Sequence, residues 1–184
     1  IVVYLHEIGI SAASIVLYAR FMLNSVISGY SSGVAPVISF NYGRKDHTQV
    51  KFLFRTSLKA VLAGSALVFL ASLLLRDGIV SLFASGEPEL AQLARRGIFL
   101  FAFSYLFSGV NTFATSLFSA LNSGKTSALM ACTNTFVFLV AAMTLLPKLG
   151  LGADGVWLAT PVAEFLSLCL TIFLLRKNKA RFGY

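Results

Sequence analysis

The chain of 184 residues is 57% hydrophobic and only 12% charged, with a formal net charge of +8 and a mean hydropathy of +0.82. Soluble domains carry roughly 25% charged residues, so this composition excludes an ordinary soluble domain. The charges form short clusters between long apolar runs, a pattern typical of polytopic membrane proteins. We therefore predict an all-α fold, a membrane helix bundle with five transmembrane helices.

The five predicted spans each approach the roughly 20 apolar residues that a bilayer core requires. Before them, residues 1–8 have neither a start methionine nor a basic signal region, and we interpret them as the end of a truncated helix of a longer protein. The whole chain, 1–184, is thus predicted to be a partial transmembrane lobe. The spans are predicted at about 12–39, 56–75, 97–121, 127–146 and 156–175.

The first span carries a row of small residues. Ser25, Gly29 and Gly33 recur every fourth residue and share one helix face, which lets another backbone approach closely in lipid. Pro36 removes a backbone donor, so we expect it to kink or end this helix. These four residues are our predicted helix-packing surface.

A basic, amphipathic stretch at 43–55 separates the first two spans. We predict that it forms a cytoplasmic helix that lies on the inner membrane surface before the chain turns into the second span. Apolar spans flank it on both sides, so membrane lipids explain its charge better than a nucleic acid does. We therefore expect lipid contact and no nucleic-acid partner.

The connection between the second and third spans is predicted to contain more than a loop. Residues 79–84 form a short apolar run that indicates an interfacial helix. Residues 85–89 then predict a new helix start, with Ser85 as a cap and acidic residues in the first turn.

Orientation follows from the distribution of lysine and arginine. Successive connections between spans lie on alternate sides of the membrane. Ten basic residues fall on one side, at 43–59, at Lys125 and in the tail at 176–184, whereas four fall on the other side. Positive residues concentrate in cytoplasmic loops, so we place these segments and the C-terminus in the cytoplasm.

Two charged residues lie deep inside predicted spans, Arg20 and Glu164. A charge near the bilayer midplane is costly, so it faces the bundle interior, pairs, or lines water. Glu164 is consistent with a cation- or proton-binding group, and equally with a structural ion pair to Arg20. For Arg20 the structural role, or a position reaching towards the outer interface, is the stronger interpretation.

Neutral polar residues are the other candidates for a site within the spans. Asn111, Thr112 and Thr115 share one helix face, and Asn134 lies on the following span. Such residues more often join helices than bind ligands. With Phe107 and Phe118 they are also consistent with one wall of a polar-aromatic cavity. No metal-ligand spacing, nucleophile motif or phosphate-binding loop is present in the sequence, so we predict no catalytic residue, no metal site and no enzyme.

Three stretches resemble a known transporter family. Residues 9–16, residues 29–33 and the run Ala35-Pro36-Val37-Ile38-Ser39-Phe40-Asn41-Tyr42-Gly43 are similar to the second half of multidrug and toxic compound extrusion (MATE) transporters, in the bacterial sodium-driven multidrug efflux branch. The run at 152–164 resembles the final helix of that branch. The resemblance extends over the whole chain in order.

The resemblance implies a fold and an activity. The five spans would be helices eight to twelve of a twelve-helix transporter in the cell inner (plasma) membrane, and the N-terminal lobe of the full-length chain would be their partner. Such proteins exchange Na⁺ or H⁺ for organic cations or drugs by alternating access and use no other cofactor. Part of the family has a cation-binding aspartate on helix ten, but the corresponding span at 97–121 has no acidic residue.

Other functions remain open from the sequence. A lipid-linked oligosaccharide flippase of the same superfold would need a strongly cationic cavity, and Arg20 is the only basic residue deep inside the spans. A non-transporting membrane scaffold would use Glu164 as a packing element. A membrane enzyme is the most remote alternative, for want of a catalytic motif.

Overall fold

In the computed structural model, residues 2–84 and 86–184 are described, with only the backbone for residues 2–7. The described chain is helical, without strands, and five of its segments are long and apolar enough to cross a membrane. This confirms the predicted all-α membrane bundle. The helices are α1 (Val2–Gly43), α2 (His47–Leu74), α3 (Arg76–Phe83), α4 (Pro88–Ala120), α5 (Gly124–Cys132), α6 (Leu139–Leu145) and α7 (Gly152–Phe182), with a π-helical segment at Thr133–Phe138 and a 3₁₀ turn at Pro147–Leu149.

Helix α4 is the centre of the bundle and packs against α1, α2 and α7. A helix that is buried on several faces needs apolar or small residues around its whole circumference. In α4 the largest fully buried side chains, Phe113, Leu117 and Phe118, alternate with small residues such as Ala114. Small positions bring the neighbouring helices close, and the large ones fill the remaining volume.

Three glycines mark the closest helix contacts. A Cβ atom added to Gly109 of α4 would lie 2.0 Å from the Ser65 hydroxyl of α2. A Cβ on Gly97 would lie 3.2 Å from the Trp157 ring of α7. At Gly155 it would lie 2.7 Å from the backbone nitrogen of Pro147. At Gly109 and Gly155 any larger residue would clash, and at Gly97 the neighbouring side chains would have to shift by a few tenths of an ångström.

The predicted packing surface on α1 has no such neighbour. Ser25, Gly29, Gly33 and Pro36 are all exposed, and a Cβ on either glycine would have nothing within 4 Å. Within the described residues no helix packs against this face, and its packing role stays a prediction. Pro36 also does not end the helix, because α1 continues to Gly43.

Two predicted segment boundaries are absent because helices run through them. Helix α1 is continuous from Val2, so residues 2–8 are not separate from the span at 12–39, and residue 1 lies outside the described residues. The stretch at 43–55 is likewise not a separate surface helix. Asp46 accepts a hydrogen bond from the backbone nitrogen of Gln49 at 3.0 Å and so caps α2, which then runs unbroken from His47.

The connection after α2 agrees with its predicted form. The expected interfacial helix at 79–84 is α3, which begins three residues earlier, at Arg76. Helix α4 starts at Pro88, where a proline is favourable because its missing N–H would have no partner in the first turn. The predicted cap, Ser85, lies outside the described residues.

The predicted tail at 176–184 is helical to Phe182 and closes one end of the bundle. Phe182 and Tyr184 are buried, and Phe182 packs against Tyr42 and Phe118 with ring centroids 5.9 and 6.3 Å apart. Burial raises the pKa of Tyr184 to about 12, and its hydroxyl donates to the Leu175 carbonyl. The predicted cytoplasmic tail is therefore packed against the bundle over its last residues. These contacts bring the carboxyl ends of α1, α4 and α7 to the same end; the predicted basic segments follow α1 and α4 along the chain and include the last turn of α7.

Candidate functional site

A buried carboxylate lies near the middle of α7. Glu164 is twelve residues beyond the start of the helix at Gly152, about 18 Å along its axis, and is only 5% exposed. Ser167 and Thr171 follow it at intervals of three and seven residues and are also buried. The three residues therefore share the inner face of α7, which packs against α4.

Asn111 of α4 holds one side of this carboxylate. Its amide nitrogen donates to Glu164 Oε2 at 2.8 Å and to the Glu164 main-chain oxygen at 3.0 Å. Thr171 donates to Asn111 Oδ1 at 2.8 Å, and Thr115 donates to the Asn111 main-chain oxygen at 2.9 Å. Glu164 Oε2 is thus part of a well-satisfied, buried hydrogen-bond network.

The other carboxylate oxygen has two more distant neighbours. The amide nitrogen of Asn134 lies 3.4 Å from Glu164 Oε1, and the Arg20 guanidinium lies 3.8 Å from it. Hydrogen bonds to a carboxylate are normally well under these distances. The two oxygens of Glu164 therefore differ: Oε2 is held tightly and Oε1 is held loosely.

Arg20 reaches this site from α1 while part of its side chain remains accessible, at 34% exposure. Its guanidinium lies 5.5 Å from the centre of the Phe101 ring of α4, a cation–π contact. On its other side Arg20 lines an open groove of about 380 Å³ with Leu17, Phe21 and Asn24. Arg20 therefore has space to move away from Glu164.

Asn134 belongs to the π-helical segment that interrupts the fourth span. The backbone nitrogen of Leu139 donates to the Asn134 carbonyl five residues earlier, the bond that defines a π-helix. The predicted span at 127–146 is therefore not one regular helix. Such segments are rare and frequently occur at functional sites, and this one carries the amide that faces Glu164.

A polar cavity of about 260 Å³ opens beside Glu164 between α4, α7 and the fourth span. Besides Glu164, three of the predicted site residues line it: Asn111, Thr115 and Asn134. The rest of the lining consists of the small polar residues Thr112, Ser116, Thr135 and Ser167, together with Met130 and Ala131.

The structure thus brings together the predicted residues Glu164, Arg20, Asn111, Thr115 and Asn134. Two aromatic predictions are wrong. Phe118 is fully buried against Phe182, and Phe107 packs on Phe165, so neither lines the cavity.

Thr171 is the residue that sequence reasoning missed. Its spacing of seven from Glu164 places it on the same helix face, which is a weak signal, since seven is also the ordinary spacing of packing residues. Its contact with Asn111, from a helix sixty residues away in sequence, required the tertiary structure.

A second ion pair, at the other end of the α4–α7 contact, is close and exposed, whereas the Arg20–Glu164 pair is long and its carboxylate is buried. Arg96 Nε lies 2.7 Å from Asp154 Oδ1, and a second guanidinium nitrogen contacts the other carboxylate oxygen. This bidentate pair is more exposed than Glu164. It has the geometry of a structural contact and provides a comparison for the Glu164 site.

Comparisons with known proteins agree with this architecture. The chain matches the MatE family over residues 1–145. It is 25% identical over 160 residues to the multidrug export protein MepA of Staphylococcus haemolyticus (strain JCSC1435), covering 85% of this chain and 34% of the relative. Its fold is similar to the inward-facing conformation of a multidrug resistance MATE family transporter of the MOP superfamily, with a TM-score of 0.80, 14% identity, and coverage of 95% of this chain and 40% of that one.

Proposed function

This chain belongs to the MatE family, whose members are transporters rather than enzymes, and on that premise we propose that it forms the C-terminal lobe of a cation-coupled antiporter. It spans about a third of the multidrug export relative and 40% of the structurally similar transporter. In the complete protein, an N-terminal lobe would face this one, and Na⁺ or H⁺ entry would drive export of organic cations or drugs by alternating access.

The observation that carries this proposal is the buried carboxylate of Glu164 beside a polar cavity in the middle of a membrane span. An intramembrane acidic residue is costly and usually marks a site for an ion or a proton. The cavity gives a cation a place next to the carboxylate, and the loosely held Oε1 is the atom available for exchange.

Arg20 supplies the charge that a transported cation would replace. When the site is empty, the guanidinium at 3.8 Å neutralises Glu164. When a cation or proton neutralises the carboxylate instead, Arg20 is free to move towards its groove. Two discrete arrangements of one side chain are the kind of element that can couple ion binding to a conformational change.

The orientation and location are part of the same proposal. The carboxyl ends of α1, α4 and α7 meet at one end of the bundle; basic residues follow α1 and α4 and occupy the last turn of α7, and the positive-inside rule would assign that end to the cytoplasm. The protein would then reside in the inner (plasma) membrane with its C-terminus inside. Membrane lipids would surround the apolar outer surfaces of the helices.

The test is Glu164→Gln in the full-length transporter, reconstituted in vesicles, with Asp154→Asn as the matched control on the same helix. Glutamine keeps the size of the side chain and can still accept from Asn111, but it cannot carry the charge. We expect gradient-driven efflux of a fluorescent organic cation such as ethidium to fall to the level of protein-free vesicles. The control should retain most of its activity, because solvent screens an exposed ion pair and leaves it little energetic weight.

Thermal stability separates this role from a structural one. If Glu164 is a packing partner of Arg20 in a non-transporting scaffold, the glutamine variant leaves an unpaired charge and unfolds at a lower temperature. Arg20→Met in the same background would then restore stability. Full efflux by the glutamine variant would refute the coupling role.

A further inference from the structure

The arginines near the start of α3 and α4 differ in how their charges are neutralised. Arg96 has a carboxylate to itself, in the bidentate pair with Asp154. Arg76 and Arg95 instead share the carboxylate of Asp77, whose Oδ1 lies 3.7 Å from Arg76 Nε and 2.9 Å from Arg95 Nε. Among the described side chains neither arginine has a second acidic partner. These three residues, which we call the Asp77 cluster, therefore have a net charge of +1.

Two further acidic residues, Glu87 and Glu89, lie at the start of α4 without pairing with this cluster. Glu89 precedes Arg95 by six residues, which is about 9 Å along the helix axis. That distance is about one Debye length at physiological ionic strength, so solvent screens much of the interaction between exposed charges. The excess positive charge of the Asp77 cluster is therefore not cancelled locally.

Arg76 also has a donor without an acceptor. Its 3.7 Å contact with Asp77 is ionic but too long for a hydrogen bond. Arg76 Nε is nevertheless buried, and within the part of the chain that the structure describes it has no hydrogen-bond partner. Native structures seldom leave a buried donor unpaired, because its lost hydration is not replaced. Since a third of this side chain is exposed, a small rotation of the guanidinium would bring the donor to an acceptor outside the bundle.

The surface beside the cluster is apolar and uncovered. Leu74 and Leu75, at the end of α2, are exposed, as are Leu82 and Phe83 on α3. Leu75 and Leu82 are seven residues apart and so lie on the same side of α3. Arg76 directly follows Leu75, which places its charge at the edge of this apolar surface. A phospholipid offers the same combination, with an anionic phosphate next to acyl chains.

From these observations we infer that Arg76 and Arg95 bind the phosphate of one anionic phospholipid, whose acyl chains cover Leu75 and Leu82. The single negative charge of a phosphodiester matches the net charge of the Asp77 cluster, and its oxygens are good acceptors for guanidinium groups. The ends of α2 and α3 place this site in the leaflet opposite to the packed carboxyl ends of α1, α4 and α7. In a zwitterionic lipid the positive headgroup amine would face the same arginines and weaken the attraction.

Asp77 competes with the lipid phosphate for both arginines. Removal of its charge raises the net charge of the cluster from +1 to +2, so binding of an anionic lipid should become tighter. A purely structural ion-pair cluster predicts the opposite, because loss of Asp77 would leave two arginines without a partner and loosen the contact between α3 and α4. The sign of this effect therefore distinguishes a lipid site from a structural one.

The experiment measures lipid contact at this position in the full-length transporter. Leu82→Cys carries a bimane fluorophore, in a background whose native cysteines, Cys132 and Cys169 among them, are replaced by alanine. The protein is reconstituted in phosphatidylcholine vesicles with increasing fractions of a brominated lipid, which quenches the fluorophore on contact. We expect brominated phosphatidylglycerol to quench half-maximally at about one fifth of the fraction that brominated phosphatidylcholine requires, the factor typical of one basic residue near an anionic lipid.

Charge variants assign this preference to the cluster. Arg76→Gln and Arg95→Gln each remove the excess charge, so each should abolish the roughly five-fold preference for phosphatidylglycerol. Asp77→Asn should increase the preference by a similar factor. The matched control is Arg96→Gln combined with Asp154→Asn, which removes the neighbouring ion pair without changing the net charge and should keep the wild-type preference. Each variant is compared in the two lipids, so a partial loss of folded protein affects both curves equally.

Several results would overturn the inference. Equal quenching by the two brominated lipids would show that the site does not select an anionic headgroup. A weaker preference in Asp77→Asn would show that the cluster is structural. An equal loss in the control would assign the preference to general surface charge. Finally, release of brominated phosphatidylglycerol by inorganic phosphate in the buffer would identify a site for free phosphate instead of a lipid.

Discussion

The glycines of α1 and those at the α4 and α7 contacts look equivalent in the sequence but have opposite surroundings. Gly29 and Gly33 of α1 stand four residues apart and face open space. Gly97 and Gly109 of α4 stand twelve residues apart, three times that interval, and each touches a neighbouring helix. A small-residue spacing thus shows that a close approach is possible, and the position of the neighbouring helix decides whether one occurs.

The largest effect is expected at Gly155, where the obstacle is backbone. An added Cβ would lie 2.7 Å from the nitrogen and 2.9 Å from the Cα of Pro147, which cannot move aside as a side chain can. We predict that Gly155→Ala destabilises the protein by about 3 kcal/mol, the upper range for overpacking. The measurement is thermal unfolding of the full-length protein in detergent, with Gly33→Ala as the control. Equal melting temperatures for the two variants would contradict the structure at this contact.

A smaller effect is expected at Gly109, where a side chain is in the way. The added Cβ would overlap the Ser65 hydroxyl, which is buried and has no hydrogen-bond partner within the described residues. We predict a loss of about 2 kcal/mol for Gly109→Ala. Ser65→Ala alone should be close to neutral, and the double variant should recover most of the loss. Additive losses in this double-mutant cycle would show that Ser65 is not the obstacle.

The smallest effect is expected at Gly33. No atom lies within 4 Å of an added Cβ, and alanine favours a helix over glycine by about 1 kcal/mol. We therefore predict that Gly33→Ala leaves the stability of this lobe unchanged or raises it by up to about 1 kcal/mol. Gly33→Leu should be tolerated as well. A clear fall in the melting temperature with either substitution would mean that a neighbouring helix contacts α1 at this face. The glycines of α1 and α4 would then not differ in their surroundings.

The site was more predictable than the packing. Glu164 is a carboxylate in a long apolar run, and its cost in a membrane makes it stand out without any structure. The expectation that Asn111, Asn134 and Arg20 are its neighbours is confirmed by their contacts. Their role in ion exchange stays a prediction.

Other features could not be read from local patterns. The basic stretch at 43–55 has the composition of a helix that lies on the membrane surface. The same composition also suits the end of a membrane-spanning helix, because the long side chains of lysine and arginine can reach from it to water. The tail at 176–184 appears polar, yet Phe182 and Tyr184 find a buried place between α1, α2 and α4. In both cases the neighbouring helices decided between two locally acceptable structures.

The class of fold, the number of spans and the identity of the buried carboxylate follow from residue types and their order, because each depends on the cost of placing polar groups in lipid. That cost is a property of residue composition and length alone. The tertiary structure decided which glycines touch a neighbour, which way the Asn111 amide turns, and that Thr171 holds it there. These depend on contacts between different helices, and those of Asn111 join residues 53 and 60 positions apart, which no local pattern encodes.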